Sequence, residues 1–137
     1  MTAKLFSIKK PAYISTQKLG ECEFIVFEKG KFSGEIDKQN LIPHGYGKLI
    51  YDNGDEFRGI FNLGKKTGRG EFFFKNGDSY IGDFENNLFD GHGRFEYANG
   101  GYFEGKFFRG KRHGKGKFCD SKGITKEGLW ENNYFVA

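Results

Sequence analysis

Glycine recurs through this chain at a fixed interval of 23 residues, and this period constrains the fold more than any other feature. One series is Gly59, Gly82, Gly105 and Gly128. Three more series keep the same step: Gly45, Gly68, Gly91 and Gly114; Gly47, Gly70, Gly93 and Gly116; and Gly54, Gly77, Gly100 and Gly123. A period of this length indicates an array of similar supersecondary units, each packed on its neighbours.

Aromatic residues follow the glycines with the same period. The second copy of the unit reads Phe57-x-Gly59-x-Phe61, a polar turn, and then Gly68-x-Gly70-x-Phe72-x-Phe74. A spacing of two is the period of a β-strand, so these residues share one face of two consecutive strands. The chain has 17 Phe, 7 Tyr and 22 Gly, which favours short twisted strands with rings packed over glycines.

Each unit is predicted to be a β-hairpin that is joined to the next unit by a second tight turn. We expect the turns within units at Gly64-Lys65, Asn87-Leu88 and Gly110-Lys111, and those between units at Asn53-Gly54, Asn76-Gly77 and Asn99-Gly100. The first set of turns would pair Phe57 with Phe72, Gly59 with Gly70, and Phe61 with Gly68. A ring on one strand can then lie over bare backbone on its neighbour.

The ends of the chain fit the period less well. Gly34 precedes Gly59 by 25 residues, so the first copy carries two extra residues, expected near residues 41–44. We expect a segment over residues 1–23 that is partly ordered or packs on the sheet, and a repeat domain over residues 24–137. That domain would contain a degenerate first hairpin, about four full repeats and a partial C-terminal repeat, since terminal repeats often act as caps.

The pattern aromatic-x-Gly-x-aromatic followed by Gly-x-Gly, over residues 32–131, resembles the MORN repeat (membrane occupation and recognition nexus). The resemblance implies an all-β fold, namely an elongated single-layer antiparallel meander of hairpins that is twisted and curved. It also implies repeats that carry no catalysis. MORN repeats occur in junctophilins, plant phosphatidylinositol-phosphate kinases, radial-spoke head proteins and cytoskeletal proteins. Residues 127–133 also resemble the retinophilin type, which binds class III myosin tails.

A single-layer sheet has no second layer to cover its aromatic face, so part of that face is expected to stay open as a groove for a protein partner. A helix or an extended peptide would suit this groove, in a cytoskeletal, ciliary or axonemal, or myosin-linked assembly. The alternative is that curvature and the N-terminal segment cover the rings. Free sheet edges would also allow a homodimer.

The predicted groove is lined by Phe57, Phe61, Phe72, Phe74, Tyr80, Phe84, Phe95, Tyr97, Phe103, Phe107, Phe118 and Trp130. The predicted structural glycines are Gly59, Gly68, Gly70, Gly82, Gly91, Gly93, Gly105, Gly114 and Gly116.

Basic residues crowd into two hairpins of a chain with a net charge of +4. They are Lys65, Lys66, Arg69, Lys106, Arg109, Lys111, Arg112, Lys115 and Lys117. We expect them along one edge of the meander, where they would bind an anionic membrane surface that displays phosphoinositides. The alternative is a set of solubilising turns. Nucleic acid is not expected as a partner, because the rings are committed to the repeat face.

The sequence offers no constellation for catalysis or metal binding. Residues 105–112 come one residue short of a phosphate-binding loop, and residues 59–66 make the same near-miss, so both indicate hairpin turns. His44, His92 and His113 lie in or beside Gly-x-Gly pairs without clustered ligands. The sequence has neither an apolar signal peptide nor the roughly 18 apolar residues of a membrane span. We therefore expect a non-enzymatic intracellular protein of the cytoplasm, cytoskeleton, or cilium or flagellum, without metal or cofactor.

Overall fold

The computed structural model describes residues 16–19, 22–27 and 30–137, and this part of the chain forms one antiparallel sheet of twelve strands. The strands are β1 (Thr16–Leu19), β2 (Cys22–Phe27), β3 (Gly30–Asp37), β4 (Ile42–Tyr51), β5 (Glu56–Asn62), β6 (Lys65–Phe73), β7 (Ser79–Glu85), β8 (Leu88–Glu96), β9 (Tyr102–Phe108), β10 (Lys111–Cys119), β11 (Thr125–Glu131) and β12 (Tyr134–Phe135). Each strand pairs with the strands next to it in the chain. The predicted all-β, single-layer meander is confirmed.

The two proposed parts of the chain, residues 1–23 and 24–137, stay a prediction, because residues 1–15 lie outside the described residues. The same holds for the idea that the N-terminal segment covers the rings. Within the described residues, the structure has no helix with the length and apolar character needed to cross a bilayer.

A two-residue turn closes the hairpin of each repeat from β5 onward. The turn residues and their φ angles are Leu63 (+45°) and Gly64 (+88°), Asn86 (+50°) and Asn87 (+75°), Arg109 (+50°) and Gly110 (+87°), and Asn132 (+49°) and Asn133 (+78°). Positive φ at both positions is the type I′ geometry, whose twist matches that of the flanking strands. The turns therefore lie one residue earlier than the sequence predicted.

A bulge in the second strand of the hairpin compensates for the earlier turn. Gly59 pairs with Gly70 as predicted, but Phe61 pairs with Lys66 and not with Gly68. The predicted pairing of Phe61 with Gly68 is wrong because two residues of β6 bulge between the two halves of the ladder. Gly68 has a φ of +65°, which suits a bulge.

The turns between repeats lie where the sequence placed them. Gly54 donates its N–H to the carbonyl oxygen of Tyr51 at 3.0 Å, and Tyr51 donates to the carbonyl oxygen of Asp55 at 2.9 Å. The same pair of bonds recurs one, two and three repeats later, at Phe74, Tyr97 and Asp120. The two extra residues of the first repeat lie in its own turn, at residues 38–41 between β3 and β4, and not at 41–44 as predicted.

One row of rings is buried and forms the core of the repeats. Successive ring centroids lie 5.0–5.3 Å apart with planes at 80–90°, the edge-to-face geometry that aromatic pairs prefer. Each ring is at most 6% exposed. We call this row the buried ladder; in order it comprises Phe32, Phe61, Phe57, Phe84, Tyr80, Phe107, Phe103 and Trp130.

The first ring of each repeat lies over the second glycine of the following Gly-x-Gly pair. Phe57 covers Gly70 in this way. The same contact is made by Phe32 on Gly47, Tyr80 on Gly93, and Phe103 on Gly116. The expected packing of rings on bare backbone is therefore present in every described repeat that has both partners.

Candidate functional site

The twelve rings of the predicted groove divide into two rows. Seven belong to the buried ladder: Phe57, Phe61, Tyr80, Phe84, Phe103, Phe107 and Trp130. These seven do not line an open groove, because the twist of the sheet packs each of them against its neighbours. The other five, Phe72, Phe74, Phe95, Tyr97 and Phe118, are partly exposed.

The partly exposed rings form a continuous second row beside the ladder, which we call the outer row. It runs from Tyr51 through Phe72, Phe74, Phe95 and Tyr97 to Phe118, with successive centroids 4.6–6.2 Å apart. The row crosses from β4 to β10, which at about 4.8 Å per strand is roughly 29 Å. The structure thus presents a narrow apolar track across seven of the twelve strands.

A cation lies over the rings at the first end of this track. Lys66 pairs with Phe61 on the aromatic face and is 6% exposed. Its Nζ lies 5.3 Å from the ring centroid of Tyr51, 5.5 Å from that of Phe57 and 5.9 Å from that of Phe72. Burial lowers the pKa of Lys66 to about 8. Lys66 is therefore a core residue and does not belong to an exposed basic surface.

Arg112 occupies the position of Lys66 two repeats further along the chain. Its Cζ lies 5.0 Å from the ring of Trp130, 5.7 Å from that of Phe103 and 5.8 Å from that of Phe118. Unlike Lys66, Arg112 is partly exposed. These distances suit attraction between the guanidinium and the ring faces.

An apolar residue fills this position in the repeat between the two cations. Phe89 stacks on Tyr80 with ring centroids 3.8 Å apart. The groove predicted from the sequence included neither Phe89 nor Tyr51. Counting in steps of 23 from Lys66 would have found Phe89 and Arg112 at equivalent positions.

The hairpin turns follow the same alternation between repeats. Asn87 accepts the N–H of Lys66 through its side-chain oxygen at 2.8 Å, and Asn133 accepts the N–H of Arg112 at 2.9 Å. The intervening turns carry glycine at this position, where Gly64 donates to the carbonyl oxygen of Pro43 and Gly110 to that of Phe89. Asparagine turns therefore accompany cations, and glycine turns accompany apolar residues.

The sequence predicted that the nine basic residues would lie along one edge of the meander. The structure separates them into three groups. Lys66 and Arg112 lie on the aromatic face. Four others lie on the opposite face, where each pairs with a residue of the adjacent strand: Arg69 with Asp83, Lys106 with His92, Lys115 with Leu129, and Lys117 with Glu127. Lys65, Arg109 and Lys111 are exposed at the hairpin turns. Alternation along the strands separates the set, because successive side chains point to opposite faces.

The turn end of the sheet combines basic and apolar side chains. Leu63, Leu88, Phe108 and Tyr134 are 48%, 46%, 50% and 75% exposed, respectively. Leu63 and Phe108 lie at the two hairpin turns that carry Lys65, Arg109 and Lys111, and Leu88 and Tyr134 follow the turns of the other two hairpins. We call these seven residues the hairpin edge.

The face opposite the rings is matched in charge. Arg94 donates through Nη1 to Glu104 at 2.9 Å and through Nε to Glu96 at 2.8 Å, and the bond to Glu96 is the main reason that its pKa is raised.

Two histidines support turns: Nδ1 of His44 accepts the N–H of Leu63 at 3.0 Å, and Nδ1 of His113 that of Asn132 at 3.4 Å. Among the described residues, no group of three or more His, Cys, Asp or Glu is arranged to hold a metal ion.

The ring ladder on glycine, the alternating turns and the open outer row define a repeat protein built from β-hairpins. The MORN repeat model matches residues 42–56, 57–79, 80–102 and 103–125, so the chain belongs to the MORN-repeat family and the resemblance read from the sequence is confirmed. Repeats of this family are non-catalytic and generally serve protein or membrane interaction. The likeness to retinophilin stays a prediction.

Similar proteins match this chain over a short stretch of their own length. The inactive protein tyrosine kinase pTKL of Plasmodium berghei (strain Anka) is 45% identical over 58 residues, which are 42% of this chain and 4% of that protein. Its namesake in Plasmodium falciparum (isolate 3D7) is 34% identical over 64 residues, 47% of this chain and 4% of that protein. The histone-lysine N-methyltransferase SETD7 of Halocynthia roretzi is 44% identical over 48 residues, 35% of this chain and 12% of that protein. The chain therefore spans a small part of each relative.

Proposed function

We propose that this chain is a non-enzymatic scaffold or adaptor that binds a protein partner along the outer row. The observation that supports this is an unbroken track of partly exposed rings from Tyr51 to Phe118, next to a ladder that is closed. Aromatic side chains contribute most of the energy at many interfaces, because they bury a large area at a small entropic cost. The track is one ring wide, which suits an extended peptide or one helix.

The setting that we propose is intracellular: a cytoskeletal, ciliary or axonemal, or myosin-linked assembly. What supports it is membership of the MORN-repeat family, whose repeats generally serve interaction. Three further points remain expectations from the sequence. Two copies could pair through the sheet edges, nucleic acid is not expected as a partner, and no cofactor is expected.

The test is a double substitution in the outer row, Phe74→Ser with Tyr97→Ser. The matched control is Ile60→Ser with Ile81→Ser, which removes two exposed apolar side chains from the opposite face. Proteins that copurify with the tagged full chain from its own cells, and that rebind when purified, should be lost with the outer-row variant and kept with the control. Full rebinding by a folded outer-row variant would contradict the proposal.

A membrane surface is the second candidate partner, and the hairpin edge is the observation that favours it. Exposed apolar residues lie beside Lys65, Arg109 and Lys111, an arrangement that lets apolar tips enter the head-group layer while cations bind anionic lipid. Each such cation contributes about 1 kcal/mol near an anionic membrane.

Sedimentation with vesicles tests this second candidate. Vesicles of phosphatidylcholine with phosphatidylinositol bisphosphate should bind the full chain at low salt and release it as salt rises, because screening weakens attraction between charges. Leu88→Ser with Lys111→Gln should reduce binding, and Lys115→Gln with Leu129→Ser, on the opposite face, should not. Lack of binding at low salt would rule out this role.

A further inference from the structure

A cleft opens in the aromatic face beside Arg112. It has a volume of about 270 Å³ and is lined by the rings of Phe89, Phe95, Tyr97 and Phe107, with Arg112 at one side. Gly110 and Asn133, from two successive hairpin turns, complete its lining. We call it the Arg112 cleft. Because Phe95 and Tyr97 also belong to the outer row, a ligand that follows that row would pass over the cleft.

The guanidinium of Arg112 has unused hydrogen-bonding capacity in this cleft. Its Nη2 donates to the carbonyl oxygen of Asn133 at 2.8 Å. Among the described residues no carboxylate lies within ion-pair distance of it, although Arg58 and Arg94 both have such partners. A guanidinium has five N–H donors in a planar fork that matches the two oxygens of a carboxylate. The rings hold the fork in place and leave part of it accessible.

The charges around the Arg112 cleft favour an anion. None of the residues that line it is acidic, and the exposed Arg109 and Lys111 flank Gly110. The nearby Asp90 accepts the N–H of Arg109 at 3.2 Å. Asp120 lines a neighbouring cleft that also contains Arg112, and its Oδ1 accepts two backbone N–H groups of its own turn. Asp90 and Asp120 lie outside the lining of the Arg112 cleft and accept backbone N–H groups, so the lining itself carries only the positive charge of Arg112.

We propose that the Arg112 cleft binds the side-chain carboxylate of an Asp or Glu in an extended peptide, whose next apolar side chain on that face packs on Phe95 and Tyr97. This inference rests on the proposed function and names the chemistry of the partner. In an extended chain, side chains two residues apart lie on the same side about 7 Å apart. Arg112, Phe95 and Tyr97 line the same cleft, so an acidic residue two positions from an apolar one can bring its carboxylate to the cation and its apolar neighbour to the rings.

The test uses a display library of random twelve-residue peptides, selected on the immobilised full chain. Three forms of the protein are compared: wild type, Arg112→Gln, and Lys115→Gln as a control that removes one charge from the opposite face. Wild type and the control should enrich peptides with Asp or Glu two positions from an aromatic or aliphatic residue. Arg112→Gln should enrich apolar peptides without the acidic residue.

One enriched peptide, synthesised with Glu and with Gln at the acidic position, then gives the strength of the contact by fluorescence anisotropy. The Glu peptide should bind wild type on the order of tenfold more tightly than the Gln peptide, and the difference should vanish on Arg112→Gln. Arg112→Lys is a second variant in case Arg112→Gln does not fold. It should fold, because Lys66 already occupies the equivalent position two repeats earlier. It should keep the preference for Glu with weaker binding, because lysine lacks the fork.

The two proposals fail in different ways. Enriched peptides that lack an acidic residue, or that show the same acidic preference on Arg112→Gln, overturn the role of Arg112 and leave the outer row as the binding surface. Peptides whose binding is unaffected by Phe74→Ser with Tyr97→Ser overturn both. Vesicle binding that is lost on Arg112→Gln without any acidic preference among peptides overturns this inference in favour of lipid.

Discussion

The ring of Phe57 lies on the backbone of Gly70, on the adjacent strand of the sheet. A Cβ atom added at Gly70 would lie 2.7 Å from Cε1 of Phe57 and 3.2 Å from Cε1 of Phe84. The first distance is shorter than any ordinary contact between carbon atoms. The tightest packing in this repeat is therefore between rings and bare backbone.

Gly70→Ala should lower the free energy of unfolding by about 1–3 kcal/mol, because the Phe57 ring must leave its place to admit a methyl group. The measurement is urea denaturation of the full chain, followed by fluorescence of Trp130. Gly68→Asn is the control in the same strand: its φ of +65° is accessible to Asn, and a Cβ there would meet Cδ1 of Ile60 at an ordinary 3.5 Å. Equal losses in both variants would mean that the ring contact is not the cause.

Lys66→Met should stabilise the chain at pH 7, since Lys66 is charged there in both states and burial disfavours its charge. The folded pKa of about 8 lies below the ordinary 10.5, so between these values the unfolded state holds more protons. The stability of the wild type therefore rises with pH across this window, by about 3 kcal/mol in total. The advantage of Lys66→Met should shrink by a similar amount.

Denaturation of both forms at several pH values from 7 to 10.5 checks this expectation. Burial also raises the pKa of Tyr51, which acts in the opposite direction at high pH. The raised pKa keeps Tyr51 neutral in the folded chain across this pH range, so its effect is nearly the same in both proteins. A difference that does not change with pH would show that Lys66 has an ordinary pKa in the folded chain.

Asn87→Gly should lower the free energy of unfolding by about 1 kcal/mol, because it removes the side-chain acceptor for the N–H of Lys66 at 2.8 Å. Glycine still tolerates the φ of +75° at this position. Asn87→Ala should cost roughly 1 kcal/mol more through backbone strain. Asn86→Gly is the control within the same turn, since no side-chain hydrogen bond of Asn86 occurs among the described residues. Thermal unfolding of the three variants gives the order, and an effect of Asn86→Gly as large as that of Asn87→Gly would refute the explanation.

Leu63→Asn should stabilise the chain by about 1 kcal/mol, because Leu63 has a φ of +45°, which Asn adopts more readily. The change creates the Asn-Gly pair that type I′ turns prefer, and the backbone bond from Leu63 to His44 is unaffected. Ile60→Asn, on an exposed strand position, should instead destabilise. Denaturation midpoints compare the three proteins, and a lower midpoint for Leu63→Asn would contradict strain at this residue.

Most of the fold could be predicted from the sequence, because the spacing of two within a strand and the 23-residue step between repeats mark the same glycines and rings. A turn at Gly64-Lys65 predicts Gly59 opposite Gly70, and the bulge in β6 preserves that pairing although the turn lies one residue earlier. The Asn-Gly signals locate the turns between repeats. The turn within the hairpin lies one residue earlier than predicted, because the sequence favours positive φ at Gly64 and gives no such signal at Leu63. The structure assigns it to Leu63 and Gly64, where Gly64 bonds to the preceding repeat, a tertiary contact that local propensity does not contain.

The site was less predictable because burial depends on packing between repeats. Phe57 and Phe72 pair across two strands and share a face, yet one is buried and the other is partly exposed, since the twist brings only one of them against the next repeat. Counting by two from Gly70 already places Lys66 on the aromatic face. A lysine beside a turn is usually solvated, however, so the sequence by itself predicts an exposed charge at Lys66.

The alternation of asparagine and glycine turns determines how many residues can be inserted into the chain without losing contacts between turns. Inserting 23 residues would prolong the row of rings but would set a glycine turn against a cation, or an asparagine turn against Pro43 or Phe89. Inserting 46 residues, the separation of Lys66 from Arg112, would reproduce every contact between turns. A pair of hairpins is therefore the smallest piece that can be duplicated without loss, and a longer or shorter relative built on this plan would differ by whole pairs.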